Sequence, residues 1–152
     1  MRERVAGLLL LLYAQPVSHI VRLTIDDVCH VDDQVLLRLG PAVPVPAPFA
    51  DLLLNLASNR TNTATATNRE ARWLFPGRRA GQPLHPDTLW TTLRQFGIPA
   101  CAARTAALRD LVHQAPVPVI AQALGYGHLA AHRHATQAGQ TWARYAPGDH
   151  AQ

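Results

Sequence analysis

The side chains with most chemistry to offer in this sequence are its arginines. All fourteen basic residues are arginine, and the 152 residues contain no lysine. Any mechanism that needs a lysine as acid or base is therefore excluded. Guanidinium stays protonated and grips phosphate with a planar fork of donors. Six arginines are candidate phosphate contacts: Arg78 and Arg79 in a glycine-bounded turn, Arg94, Arg104 and Arg109 on helical stretches, and Arg133. A net charge of +4 fits a polyanionic partner. His128 and His132 are four apart and could share a helix face, as zinc ligands do. No Cys, Asp or Glu stands near them to complete a site, so no metal is expected, and no cofactor. Cys29 and Cys101 have neither metal-ligand nor disulfide spacing. They read as free, partly buried thiols in a reducing cytoplasm.

These residues need a scaffold, and the chain is long enough for one domain, residues 1–152, with a real core. Apolar residues at 48% and charged residues at 16% place it among folding sequences. Residues 3–13 read as a helix buried all round, since leucine dominates every face. The opening MRERVAGLLLLLYAQPVSHI is signal-like. It lacks a small-x-small cleavage site and its apolar run is too short to span a bilayer. No membrane is expected. Pro16 ends this helix and suits the start of another over 17–23. TIDDV and QVLLRLG flank Asp32-Asp33 as the arms of a hairpin. The proline-rich PAVPVPAPF supplies at most an edge strand.

The period of Phe49, Leu52, Leu53, Leu56 and Ala57 predicts a helix. Residues 58–70, SNRTNTATATNRE, are polar and low in complexity and read as a mobile surface loop. Trp73-Leu74-Phe75 is an apolar anchor before the turn that carries Arg78 and Arg79. Pro86 and Asp87 start a helix with apolar Leu89, Trp90, Leu93 and Phe96, and Gly97 caps it. Further helices are expected over 103–114, from Pro118 to Gly125, and over 129–138. Residues 139–152 form a tail in which Trp142 and Tyr145 dock by burying their rings. The fold class is mainly α with a small N-terminal β-hairpin or sheet.

One local pattern suggests DNA recognition. In VIAQALGYGHLAAHRH, Ala121, Gly125 and Ala131 have the spacing of a helix-turn-helix. The glycine would take the positive φ of the turn. The second helix would present His128, His132, Arg133 and Gln137 to phosphates or base edges. Two packed helices joined by a glycine turn fit the same residues.

A longer pattern covers residues 4–135. LLLLLYAQPVSHIVRLTIDDV resembles the box LLYxTGLRxSELxxLxxxDI of the tyrosine recombinases, the phage integrase family. PVPAPFADLLL resembles the strand-into-helix segment after that family's β-hairpin. WLFPGRRAGQPLHPDTLWTTLRQFGI is similar to LFxxxxGxPLSxxxxxxxLKxAGI. ARTAALRDLVHQAPVPVIAQALGY stands where the family has HxLRHTFATxLLxxGxxxxxIxxLLGH. No counterpart of the family's N-terminal DNA-clamping domain is present.

The resemblance implies the catalytic-domain fold and DNA cutting and rejoining through a 3′-phosphotyrosine. Two arginines would hold the phosphate, and lysine, histidine or tryptophan would move protons. Residue by residue, most of that machinery is missing. Gln15 and Pro16 occupy the shortened segment of the first arginine, and the hairpin lysine has no counterpart. Arg104 matches the second arginine. Cys101 and Thr105 stand at the two positions where the family has histidine, and Tyr126 replaces the histidine of LGH, with His128 two residues on. The nucleophile falls near Ala135, and the nearest tyrosine beyond it is Tyr145. One cation cannot supply what a cluster contributes to a pentavalent phosphate.

The expectation is therefore a cytoplasmic, nucleoid-associated protein that binds double-stranded DNA without cleaving it. Self-association on DNA is left open. The contacts would be Arg78, Arg79, Arg94, Arg104, Arg109, His128, His132 and Arg133. The alternatives are an active recombinase that uses Tyr145, a helix-turn-helix regulator, and an interaction module that binds no DNA.

Overall fold

A computed structural model describes residues 1–60 and 71–125. Within them the chain is mostly helical with one small antiparallel sheet, as the sequence predicts. The expected helix over 129–138, the tail, His128, His132, Arg133 and Tyr145 lie outside the described residues, as does the loop from residue 61 to 70.

Helix α1 (Arg2–Tyr13) packs on α5 (Ala100–Gln114), α3 (Ala47–Ser58) and α4 (Pro86–Gln95). It is not buried all round. Val5, Ala6, Leu9 and Leu10 are fully enclosed, whereas Leu11 and Leu12 face outward. A 3.6-residue period cannot bury five leucines in a row when neighbours cover one side of the cylinder. Ala14 ends α1 in the left-handed region, φ 50°. After Pro16, α2 (Val17–Ile20) is a single turn, shorter than expected.

The acidic TIDDV segment is not a strand over its length. Ile25–Asp27 forms a 3₁₀ turn, and Asp27 Oδ2 accepts from both the backbone N–H and the hydroxyl of Thr24, each at 2.8 Å. This capping box uses the carboxylate locally, which ends pairing there. The hairpin proper joins β1 (Val28–Val31) to β2 (Gln34–Arg38), with Val31 opposite Gln34 and Val28 opposite Leu37. Asp32 and Asp33 both have positive φ, 45° and 66°, as a two-residue turn matched to strand twist requires. β3 (Ala42–Pro44) pairs only with β2, so its one proline, Pro44, sits on an edge. Alternation along β2 sends Val35 and Leu37 inward and Gln34 and Arg38 outward.

In α3, Phe49, Leu53 and Leu56 are buried on one face. Leu89 and Leu93 do the same in α4, but Trp90 is partly exposed and Phe96 is 66% exposed. Phe96 is the C-cap, where the chain leaves the helical period. Gly97, at φ 76°, donates to Arg94 O at 2.9 Å and Ile98 donates to Leu93 O at 2.9 Å, which closes the helix end. α6 (Val117–Ala123) starts after Pro116 and ends at Leu124. Gly125 follows at φ 67°, against the β2–β3 turn. A Cβ there would lie 2.2 Å from Leu39 O, so glycine is required by contact as well as by φ. No helix among the described residues is long and apolar enough to cross a membrane.

Candidate nucleic-acid interface

Arg104 and a set of four other arginines stand at opposite ends of α1. At its C-terminal end stands Arg104. The buried face of α5 runs through Ala100, Ala107, Leu108 and Val112. Arg104 lies one turn from Ala100 and one from Leu108, so the helical period turns it inward. Its Nε donates to Ala14 O at 2.9 Å, across ninety residues of sequence. The guanidinium thus ties α5 to the carbonyl at the end of α1. Arg109 is off that face and exposed, and it makes no ion pair with Asp110.

Gln15 completes this junction. It is the single buried polar residue among those described, with no exposed surface. Its Nε2 donates to Tyr13 O and to Leu124 O, both at 3.2 Å. Its Oε1 meets His19 Nδ1, which must therefore carry the proton. Burial lowers the pKa of His19, and Arg22 pushes the same way, while Asp27 opposes them. The segment Ala14-Gln15 and the α5 position of Arg104 meet here. One position holds an amide that serves three internal partners, and the other holds a guanidinium with one donor committed to backbone. Chemistry on a phosphodiester needs fixed cations aimed at a substrate oxygen. Here Gln15 aims all its polar atoms at the protein, and Arg104 its Nε.

The second set lies at the other end of α1, which spans about 18 Å at 1.5 Å per residue. A groove of about 970 Å³ is lined by Arg2, Glu3, Arg22, Arg78, Arg79 and His85, with Leu56 and Leu84 in its wall. Its four arginines face one carboxylate. Burial works against the charge of Glu3, yet its backbone hydrogen bond and the Arg2 guanidinium hold it below the usual carboxylate range. Arg2 Nε lies 3.3 Å from Glu3 Oε1. Arg22, Arg78 and Arg79 make no ion pair among the described residues. Exposed cations with no local carboxylate are what a polyanion can use.

Arg78 and Arg79 are presented by a ribbon. Leu74 and Phe75 are fully buried and anchor one arm, as expected of that apolar triplet. Leu84 N–H donates to Phe75 O at 2.7 Å and Gly77 N–H to Gln82 O at 2.9 Å. The arms run so close that a Cβ on Gly77 would lie 2.6 Å from Pro83 O. α4 leaves the groove rim with His85 as N-cap, its Nδ1 accepting from Asp87 N–H at 3.3 Å. Arg94, near the other end of α4, stacks on the Trp90 ring at 5.0 Å from its centre.

Of the expected site residues that are described, only Arg78 and Arg79 share a surface. Arg94, Arg104 and Arg109 stand elsewhere. Arg22 was missed, and its signal was the single cation in the apolar run IVRL. Arg2 was missed because it opens a signal-like stretch. For Gln15 the sequence offers only a place in the resemblance, and no signal of the bonds it makes. Both cysteines are free thiols, as expected, but Cys101 is exposed rather than partly buried. Gly125 takes the positive φ expected of a helix-turn-helix, and its contact with Leu39 accounts for that glycine equally well. Among the described residues no group of three His, Cys, Asp or Glu side chains could hold a metal. No family model matches the chain, nor does any curated protein or solved structure.

Proposed function

We propose that this protein binds double-stranded DNA through the backbone phosphates, on a scaffold resembling the tyrosine recombinase catalytic domain, and does not cleave it. The observation that carries the reading is the groove at the start of α1. Arg22, Arg78 and Arg79 line it without ion-pair partners among the described residues, and its one carboxylate is held by Arg2. The scaffold half is supported by the meeting of Ala14-Gln15 with Arg104. The same junction argues against cleavage, because Gln15 is buried and hydrogen-bonded where the family's first arginine belongs.

Phosphate neutralisation has a measurable signature. Three contacts release counterions with a slope of about −2.7 in log affinity against log salt, or about 40-fold weaker binding from 50 to 200 mM. Anisotropy with a labelled duplex measures it. Arg78→Ala with Arg79→Ala should reduce the slope by about 1.8. A response flat in salt, or unchanged in the double variant, overturns the reading. A suicide duplex tests cleavage separately. A covalent adduct that disappears in Tyr145→Phe would establish an active recombinase instead.

A further inference from the structure

We infer that Trp73 is a positioning residue for the groove: its indole pins the turn that carries Arg78 and Arg79, and this preorganisation sets the affinity for a phosphate backbone. The inference rests on the DNA-binding reading above. The indole Nε1–H donates to Gly81 O at 2.9 Å, bridging from the first arm of the ribbon to its tip. Trp73 is itself fixed. It forms a β-bridge with Thr24, its neighbour Leu74 donates to Leu23 O at 2.8 Å, and Arg60 donates to its carbonyl at 3.3 Å. Leu74 and Phe75 beside it are buried to zero exposure, so the base of the ribbon belongs to the core.

The tip is different. Arg79 O accepts from Gln82 N–H at 3.2 Å, with Gly81 at φ 66° as the third residue of that turn. A Cβ on Gly81 would meet nothing within 4 Å. That side of the tip is open, and the indole hydrogen bond ties it to a residue whose backbone is held at the base of the ribbon. Two long, charged side chains on a loose turn would lose freedom when they met phosphate, and a turn held in place reduces that loss.

The test is a double-mutant cycle on duplex binding. Trp73→Phe keeps an aromatic ring, though a smaller one, and removes the donor. It should weaken binding about fivefold, the factor one neutral hydrogen bond supports, with the circular dichroism spectrum unchanged. In the Arg78→Ala, Arg79→Ala background it should change affinity less than twofold, because there are no guanidinia left to position. Equal weakening in both backgrounds would mean a general structural role and overturn the inference, as would wild-type affinity in Trp73→Phe alone. If removing Arg78 and Arg79 changes nothing, the groove reading itself fails, which is a separate outcome. Should Trp73→Phe not fold, Gly81→Ala runs the same cycle. Its Cβ meets no atom, so any effect comes from the turn's conformation.

Discussion

Gln15→Leu asks how much of the fold depends on one buried amide. Leucine fills a similar volume but removes two donors, to Tyr13 O and Leu124 O, and the acceptor of the His19 Nδ1 proton. Each group that loses its partner in a dry interior costs about 1–2 kcal/mol. Two methyl groups in place of the amide return about 1.6 kcal/mol by burial. The net expectation for the three groups is a loss of about 3 kcal/mol. For a chain of this length the unfolding entropy of about 0.3 kcal/mol/K turns that into a melting temperature lower by about 10 °C. Urea titration should show a lower midpoint at unchanged slope. Stability within about 0.5 kcal/mol of the original protein would refute the reasoning, because the amide would then be filling space and not serving partners. Gln15→Arg introduces the residue type that the recombinase resemblance implies at this position. With no exposed surface at this position, a guanidinium there is an uncompensated buried charge, and the expected outcome is loss of folding rather than gain of cleavage.

Three further outcomes follow from single residues. The folded-state pKa of His19 is lowered by burial, so its contribution to stability is full above pH 6.5 and is lost as pH falls through the folded pKa. The urea midpoint should drop on going from pH 7.5 to 5, less steeply in His19→Gln, and NMR titration of His19 should give a value below the ordinary one. Gly125→Ala places a methyl group 2.2 Å from Leu39 O at φ 67°, and should cost more than about 2 kcal/mol in denaturant, through strain and clash together. Asp33→Gly relieves φ 66° in the β1–β2 turn and makes an Asp-Gly pair there, so it should raise thermal stability by about 0.5–1 kcal/mol.

The elements that were legible are those set by local rules. Asp32-Asp33 between β-branched arms marks a hairpin turn, and Gly97 after an apolar period marks a helix end. Both are where the sequence places them. The inward face of α5 could also be read, since Arg104 falls in step with Ala100 and Leu108. What could not be read depends on partners distant in sequence. That Leu11 and Leu12 stay outside depends on α3, α4 and α5 covering one side of α1 only. That Asp27 caps a 3₁₀ turn depends on Thr24 being free to donate twice. The split of Arg104 from the groove arginines, at opposite ends of α1, was invisible for the same reason. Arg78 and Arg104 are equally good phosphate ligands in one dimension, and only the packing of the ribbon and of α5 separates them.

Under the reading proposed above, that separation would let binding and cleavage part company on one scaffold. Holding a backbone phosphate needs exposed cations and little more, because counterion release depends on charge near the strand and tolerates loose geometry. Cleaving it needs several groups fixed within a fraction of an ångström around one phosphorus. A junction such as Ala14-Gln15 with Arg104 is close to the core. Substitutions there are selected first by what they do to packing and buried hydrogen bonds, and an amide with three internal partners is a stable outcome. The groove is built from a ribbon tip and a helix start, where arginines can be exchanged at almost no cost in stability. A chain under no demand to cut would lose the first site and could keep the second. Arg22, Arg78 and Arg79 on open walls, and a glutamine sealed in the interior, are the pattern such a history would leave.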